Sequence, residues 1–351
     1  MTVKRLTWLL VACAAVVLVF VAAGCGGSDN KSSSGGDNAI KVGLVTDTGG
    51  VDDKGFNQFS IAGLDEAKDK LGVETRVYVS KTADDYQPNL TAASEDGNDL
   101  VIAVGFLLAP STITVAAQYP DISYAGVDHF YGESGDASGC DDAGTCALPN
   151  TLGLQYPSQE SGYLAGVVAA LMTKSGTVSS VGGKKIPPVD NWIAGYQAAV
   201  KATKPSVKVL NAYSQDFEDL AKCKEIALDQ IANGSDVVFQ VAGKCGLGAI
   251  DGACEKGVMA IGVDVDQSGS GDCVIVSALK PLQSSVFDII KTFQDGNFKG
   301  GTNKFYGVAQ LPDAMLLTDY HGDVPQSVKD AVDTALAGLK DGSIKPPATL
   351  P

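Results

Sequence analysis

Histidine, tryptophan and basic side chains are scarce in this sequence. Its 351 residues include 2 His and 2 Trp, and 26 Lys and Arg stand against 41 Asp and Glu. The two histidines, His129 and His321, lack the spacings typical of a catalytic triad or a zinc finger. The net charge of −15 argues against nucleic acid and against an anionic membrane surface as partners. We expect neither a metal nor another cofactor.

Long apolar runs are also rare, and the one that is present lies near the first residue. Lys4 and Arg5 precede the apolar stretch 8–21, and the small residues Ala-Ala-Gly lead into Cys25. This pattern predicts a secretory signal over 1–25, and its end resembles a bacterial lipobox. Cys25 would then carry a lipid that anchors the protein to the cell membrane. The alternative is an ordinary signal peptide that is cut near Ala23.

A polar segment, 26–39, follows Cys25 and is rich in Gly, Ser, Asp and Asn. It has no apolar periodicity, so we interpret it as a flexible tether. No second stretch is long and apolar enough to span a bilayer.

Six further cysteines follow the tether. An even number in an exported chain predicts disulfides. Cys140 and Cys146 share the polar loop CDDAGTC and are expected to pair with each other. The other four allow three connectivities, and the sequence does not choose among them: Cys223, Cys245, Cys254 and Cys273. A zinc site is the alternative, although the spacings do not resemble a finger or a ribbon.

The rest of the chain alternates short apolar runs with amphipathic helices, which predicts parallel sheets covered on both faces. The predicted strands are 40–46, 73–79, 100–104, 122–127, 177–181, 208–213, 236–241, 258–263, 273–279 and 304–308. The predicted helices are 56–71, 84–96, 110–119, 156–173, 191–203, 221–233, 248–256, 281–294 and 325–339.

About 325 residues exceed what one core usually supports, so we predict two doubly wound lobes. The first lobe is expected at 40–155 and the second at 156–275. A segment at 276–304 is expected to return to the first lobe, and 305–351 to close the second.

Ligands of such sheets bind beyond the carboxyl ends of the strands. The residues at the predicted strand ends are Asp47, Gly105, Asp128, Gly182, Gly243, Asp264 and Lys280. A single Asp after a strand commonly serves as a turn or helix-cap residue. Three such residues, spread over two lobes, favour a binding site.

The stretch VTDTGGVDDKGFN, at 45–57, allows two interpretations. Nucleoside hydrolases hold calcium with D-x-D-P-G-x-D-D after their first strand, but here the two early acidic positions fall on Thr46 and Thr48. Asp47 is displaced by one residue from the acidic positions of that motif, which turns its side chain to the other face of the strand. The alternative is a ligand site, in which the glycines allow close backbone approach, Phe56 stacks on a base and Asp47 accepts hydrogen bonds.

Six stretches, in order along the chain, resemble the basic membrane protein family of ABC transporter substrate-binding lipoproteins. They are VTDTGGVDDKGFN, SGYLAGVVAALMTKSGTV, GGKKIPPV, VFQVAGKCGLG, AIGVDVDQ and VSALK. The best-known members are purine nucleoside receptors. The resemblance implies the type I periplasmic-binding-protein fold, with two lobes and a cleft between them. It also implies a monomer that captures a nucleoside and delivers it to a permease and its ATPase, without catalysis.

The resemblance also assigns roles to individual residues. Asp47 and Asp128 resemble the residues that read the base, and Phe56 the ring that stacks on it. Asp264 and Lys280 resemble the pair that holds the ribose hydroxyls. Further ligand contacts are expected from Asn57, which could instead cap locally, from the backbone of Gly243, and from an opposing ring that is either Phe217 or Trp192.

One departure from the family pattern is Lys244-Cys245-Gly246, where small residues are usual. It places a cation and a predicted disulfide near the ribose side. His129 follows Asp128 and is either part of the cleft or a structural loop residue. Two other functions stay open: an exported nucleoside hydrolase with a degenerate metal motif, and a sensor that reports a bound ligand to a membrane partner.

Overall fold

The computed structural model describes residues 39–131, 148–311 and 315–351. The predicted lipidation site at Cys25, the tether up to residue 38 and the predicted Cys140–Cys146 disulfide lie outside these residues. Within them, every helix is too short or too polar to cross a bilayer.

The described part of the chain contains eleven strands and nine α-helices. The strands are β1 (Lys41–Val45), β2 (Glu74–Tyr78), β3 (Leu100–Val104), β4 (Ser123–Val127), β5 (Thr151–Gln155), β6 (Thr177–Gly182), β7 (Lys208–Tyr213), β8 (Val237–Val241), β9 (Met259–Asp264), β10 (Val274–Leu279) and β11 (Thr302–Phe305). The helices are α1 (Phe56–Leu71), α2 (Tyr86–Glu95), α3 (Ala109–Gln118), α4 (Gln159–Met172), α5 (Pro187–Thr203), α6 (Leu220–Ala232), α7 (Gly243–Glu255), α8 (Leu282–Gln294) and α9 (Gln326–Lys340).

The strands form two parallel sheets. The first has the order β11-β5-β4-β3-β1-β2 and the second the order β10-β9-β8-β6-β7. All five residues of β3 and all five of β8 are buried, as expected for central strands with helices on both faces. Separate apolar clusters fill the two sides of each sheet. The predicted architecture of two doubly wound α/β lobes is confirmed.

The chain returns to the first sheet later than expected. The predicted return segment begins at 276, but β10 pairs with β9 in the second sheet along its length. The crossing follows β10, because α8 packs against α1 and β11 pairs with β5. Strand order depends on contacts that are distant in sequence, which the local pattern does not contain. The other lobe boundaries stay a prediction.

One strand was missed, and several predicted elements differ at their ends: α5 begins at Pro187 and not at 191, and β11 spans Thr302–Phe305 and not 304–308. β5 was missed, since its TLGLQ sequence lies between a polar loop and the predicted start of the next helix. α4 begins at Gln159 and not at 156, because Pro157 follows Tyr156. α7 begins at Gly243 and not at 248. Its glycines let the helix pack closely: a Cβ at Gly248 would collide with the backbone of α6.

Candidate ligand-binding site

A pocket lies where the carboxyl ends of β1, β3 and β4 meet those of β8, β9 and β10. The space between the protein atoms here is about 630 Å³, open solvent included. All nine residues predicted to bind the ligand line this pocket: Asp47, Phe56, Asn57, Asp128, Trp192, Phe217, Gly243, Asp264 and Lys280. The structure therefore brings them together, while their individual roles stay predictions.

The two adjacent carboxylates of the opening stretch have different surroundings. Asp53 is buried and caps α1: its Oδ1 accepts from the backbone N–H groups of Gly55 at 3.0 Å and Gln58 at 3.1 Å. Its Oδ2 accepts from the N–H of Asn57 at 2.8 Å. The side chain of Asp52 is 83% exposed. These two carboxylates do not converge, and the described residues contain no cluster of metal-ligating side chains.

Asp47 and Asn57 form a buried polar pair that lines the pocket. The Nδ2 group of Asn57 donates to Oδ1 of Asp47 at 2.8 Å. Within the described part of the chain, Oδ1 of Asn57 is buried without a hydrogen-bond partner. A buried polar atom without a partner is rare unless a ligand or a water molecule forms a hydrogen bond with it. Burial raises the pKa of Asp47 to about 8.

Gly105, at the end of β3, leaves room for Asp47. It has a φ of 111°, and a Cβ at this position would lie 2.6 Å from Oδ2 of Asp47. A side chain here would therefore displace the carboxylate as well as strain the backbone. The sequence singled out this residue only as a strand end, and the structure gives it a steric role.

Lys280 lies next to the ring of Phe56 and forms an ion pair with Asp128. Its ammonium donates to Oδ2 of Asp128 at 2.6 Å, and the two side chains are 2% and 8% exposed. With Asp264 it shares only a backbone hydrogen bond, from the Lys280 N–H to the Asp264 carbonyl at 2.9 Å. The ammonium also lies 5.0 Å from the ring centroid of Phe56 and 4.8 Å from that of Tyr156, so cation–π attraction supports its place.

Asp128 and Asp264 share an unusual backbone conformation at the ends of β4 and β9. Their φ angles are 61° and 68°. This left-handed region is uncommon for residues with a side chain, although Asp adopts it more readily than most, and it concentrates at functional sites. Burial raises the pKa of Asp264 to about 7. No hydrogen bond reaches its carboxylate from the residues that the structure describes.

Aromatic and apolar side chains form the wall on the second sheet's side. Trp192 is 3% exposed and meets Phe239 edge to face, with ring centroids 6.2 Å apart. Phe217 is half-buried and fits into space left by Gly183 and Gly243. Both rings lie at the pocket, so the choice between them as the ring opposite Phe56 stays a prediction.

His129 is a structural residue. It is fully buried and is not among the described residues that line the pocket. Its Nε2–H donates to the Gly105 carbonyl at 2.8 Å, and its Nδ1 accepts from the hydroxyl of Tyr131 at 2.7 Å. Since a carbonyl only accepts, these partners fix the tautomer. Burial lowers the pKa of His129 to about 4, so the ring is neutral at physiological pH.

Comparisons with known proteins identify the family. The family model Bmp, described as ABC transporter substrate-binding protein PnrA-like, matches residues 40–331. The chain belongs to the Bmp family. The resemblance seen in the sequence is thereby confirmed, and substrate binding for an ABC transporter is the function this family shares.

Two relatives of this Bmp protein match it over nearly their whole length. It is 31% identical to the CD4+ T-cell-stimulating antigen of Listeria innocua, over 98% of this chain and 99% of that protein. It is also 31% identical to the ABC transporter nucleoside-binding protein BmpA of Lactococcus lactis, over 97% and 98% respectively.

Solved structures agree on the fold of this Bmp protein. An ABC transporter solute-binding protein from Aeropyrum pernix K1 has a TM-score of 0.76 at 23% identity, over 87% of this chain and 92% of that one. A second, from Conexibacter woesei, has a TM-score of 0.66 at 23% identity, over 88% and 99%. These likenesses confirm the predicted type I periplasmic-binding-protein fold.

Sequence reasoning missed several pocket residues of this Bmp protein. Phe106 and Leu107 follow β3 directly, so their place beyond a strand end could have revealed them. The others lie in the loop after β1, at the end of β8 and at the starts of α5 and α7, and none was singled out as a ligand contact: Thr48, Gly49, Asp53, Val241, Ile186, Pro188, Val189 and Lys244. Lys244 was noted only as a departure from the family pattern.

Three contacts join the loop after β1 to the second lobe. The N–H of Gly49 donates to Oε1 of Glu218 at 2.7 Å. The ammonium of Lys244 lies 3.7 Å from Oδ1 of Asp52. The side-chain amide of Gln267 donates to the Lys54 carbonyl at 3.4 Å. These contacts close the cleft around the pocket in this Bmp protein.

Proposed function

We propose that this Bmp protein captures a nucleoside, and a purine nucleoside in particular, and delivers it to an ABC permease and its ATPase. Captured ligand would be enclosed between the lobes and passed on unchanged, so no catalysis is involved. The protein would act as a monomer on the outer face of the cell membrane, anchored through a lipid on Cys25. One of its relatives, at 31% identity, is named a nucleoside-binding protein.

The observation that carries the proposal is the buried polar pair of Asp47 and Asn57, which lines the same pocket as Phe56. Asp47 and Asn57 lie in one pocket with Phe56, and Oδ1 of Asn57 is a buried acceptor that lacks a partner among the described residues. A flat ring that carries N–H donors along its edge meets both requirements, since it can stack on Phe56 and donate to the pair. A nucleobase has this chemistry, whereas a simple sugar lacks the flat face.

The residues that the second sheet contributes to the pocket suit a ribose. The carboxylate of Asp264 is buried and accepts no hydrogen bond from the described residues, so it can accept from ligand hydroxyls. The buried ammonium of Lys280 and the first N–H of α7 at Gly243 can donate to oxygen atoms. A group with both donors and acceptors, such as a ribose diol, fits this set.

The test is the nucleoside affinity of Asp47→Ala and Phe56→Ala. Each should weaken binding at least tenfold, about 1.4 kcal/mol, because one removes the buried acceptor and the other the stacking surface. Asp65→Ala is the matched control, since Asp65 is exposed on α1 and outside the pocket. Affinity that is unchanged in both pocket variants would remove the proposed site.

A further inference from the structure

Two disulfides hold the two ends of α7. Cys223, in the first turn of α6, pairs with Cys245 in the first turn of α7. Cys254, in the last turn of α7, pairs with Cys273, one residue before β10. The structure thus selects one of the three connectivities that the sequence left open.

The first of these disulfides adjoins the pocket. Cys245 follows Gly243 and Lys244, which line the pocket. Both cysteines of this disulfide are fully buried. The N–H of Cys245 donates to the Phe217 carbonyl at 2.8 Å. The disulfide and this hydrogen bond together fasten the segment 217–223 to the start of α7.

This fastened segment carries two groups that face the cleft. Phe217 lines the pocket, and Oε1 of Glu218 accepts the N–H of Gly49 from the first lobe at 2.7 Å. Glu218 is exposed, and its own N–H is held by the carboxylate of Asp216 at 2.8 Å. The segment therefore supplies both a wall of the pocket and a contact that closes it.

We propose that the Cys223–Cys245 disulfide is a positioning element of the binding site, which holds Phe217 and Glu218 against the ligand and the opposite lobe and so slows ligand release. The inference rests on the proposed function where ligand release is concerned. Its structural part, the placing of Phe217 and Glu218, concerns the protein alone and can be tested without a ligand.

The second disulfide is a matched control. The two bonds close loops of similar length, with sequence separations of 22 and 19 residues. In the chain-entropy description, they therefore stabilise the fold by similar amounts. Cys254 and Cys273 do not line the pocket, within the part of the chain that the structure describes. A difference in binding between the two paired variants then reports position and not stability.

The experiment compares Cys223→Ala/Cys245→Ala with Cys254→Ala/Cys273→Ala at a temperature where both are folded by circular dichroism. With inosine as the probe, the first pair should raise the dissociation rate at least tenfold and change the association rate less than threefold. The control pair should change both rates less than twofold. Equal dissociation rates in the two paired variants would overturn the proposal.

A ligand-free measurement separates failure of this proposal from failure of the proposed function. Amide exchange of Gly49 and Cys245, followed by NMR, should be at least tenfold faster in the first pair and unchanged in the control pair. If native protein binds no nucleoside, the exchange rates still decide the matter, and equal rates in both pairs would overturn the positioning role. If the alanine pair does not fold, Cys223→Val/Cys245→Ala refills the buried volume and is measured in the same way.

Discussion

Lys280 and Asp128 form a buried ion pair that joins the two sheets at the pocket. Lys280 follows β10 of the second sheet, and Asp128 follows β4 of the first. The Nζ atom of Lys280 lies 2.6 Å from Oδ2 of Asp128. Breaking a buried pair by removing one partner is strongly destabilising, because the other charge stays buried without compensation. This pair therefore ties the stability of the protein to the geometry of its pocket.

Replacing Lys280 by Met should lower the free energy of unfolding by about 3–5 kcal/mol, since Asp128 is left buried and unpaired. The double variant Lys280→Met/Asp128→Asn should lose clearly less, because the orphaned charge is gone. Urea unfolding of the two variants and the native protein measures both values. If single and double variants were equally unstable, the ion pair would not be the cause.

Gly105→Ala should weaken nucleoside binding at least tenfold, because the new Cβ would lie 2.6 Å from Oδ2 of Asp47 and push the carboxylate away. Gly97→Ala is the control: Gly97 also has a positive φ, 74°, but open space around it. Gly97→Ala should lose about 1–2 kcal/mol of stability through backbone strain, and Gly105→Ala should lose more, because its φ of 111° and ψ of 139° suit only glycine and its Cβ meets Asp47. Titration calorimetry and thermal unfolding separate the two effects, and normal binding by Gly105→Ala would contradict the steric role of this glycine.

The pH dependence of stability should show the raised pKa of Asp47. Burial raises it from 3.8 to about 8, so between these values the folded protein holds a proton that the unfolded chain has lost. The stabilisation is fully present below pH 3.8 and is lost as the pH rises through about 8.

Asp47→Asn is neutral at every pH and lacks this dependence. The unfolding free energy of the native protein should therefore fall relative to that of Asp47→Asn as the pH is raised from about 5 to about 9. The comparison cancels the opposite trend from His129, whose pKa burial lowers to about 4. Parallel profiles from urea unfolding across this range would show that Asp47 is ionised in the folded state at neutral pH.

The helix that carries Phe56 and Asn57 shows how far the sequence alone could lead. The helix predicted at 56–71 has the bounds of α1, since apolar residues recur at helical spacing and Gly72 ends it with a φ of 71°. Both the repeat and the stop are local features. Asp47 and Asp264 were likewise found as acidic residues at strand ends, because parallel strands bring their carboxyl ends to one edge.

The partner of Lys280 shows what the sequence did not contain. Asp128 is 152 residues away, and the two meet only because the crossing after β10 brings the second sheet's edge to the end of β4. The disulfide pairing of α7 depends on the same long-range packing. β5 was not predicted for a different reason. Its five residues contain a glycine and few β-branched side chains, so its place in the sheet is fixed by the neighbouring strands.

The most direct test of the central claim is calorimetric titration of the protein with adenosine, guanosine, inosine, uridine and ribose, with and without calcium, followed by chromatography of the recovered ligand. We predict tight binding of at least one purine nucleoside, weaker binding of uridine and ribose, no effect of calcium, and recovery of the nucleoside intact. Release of free base, or a requirement for calcium, would contradict the claim and point to a hydrolase.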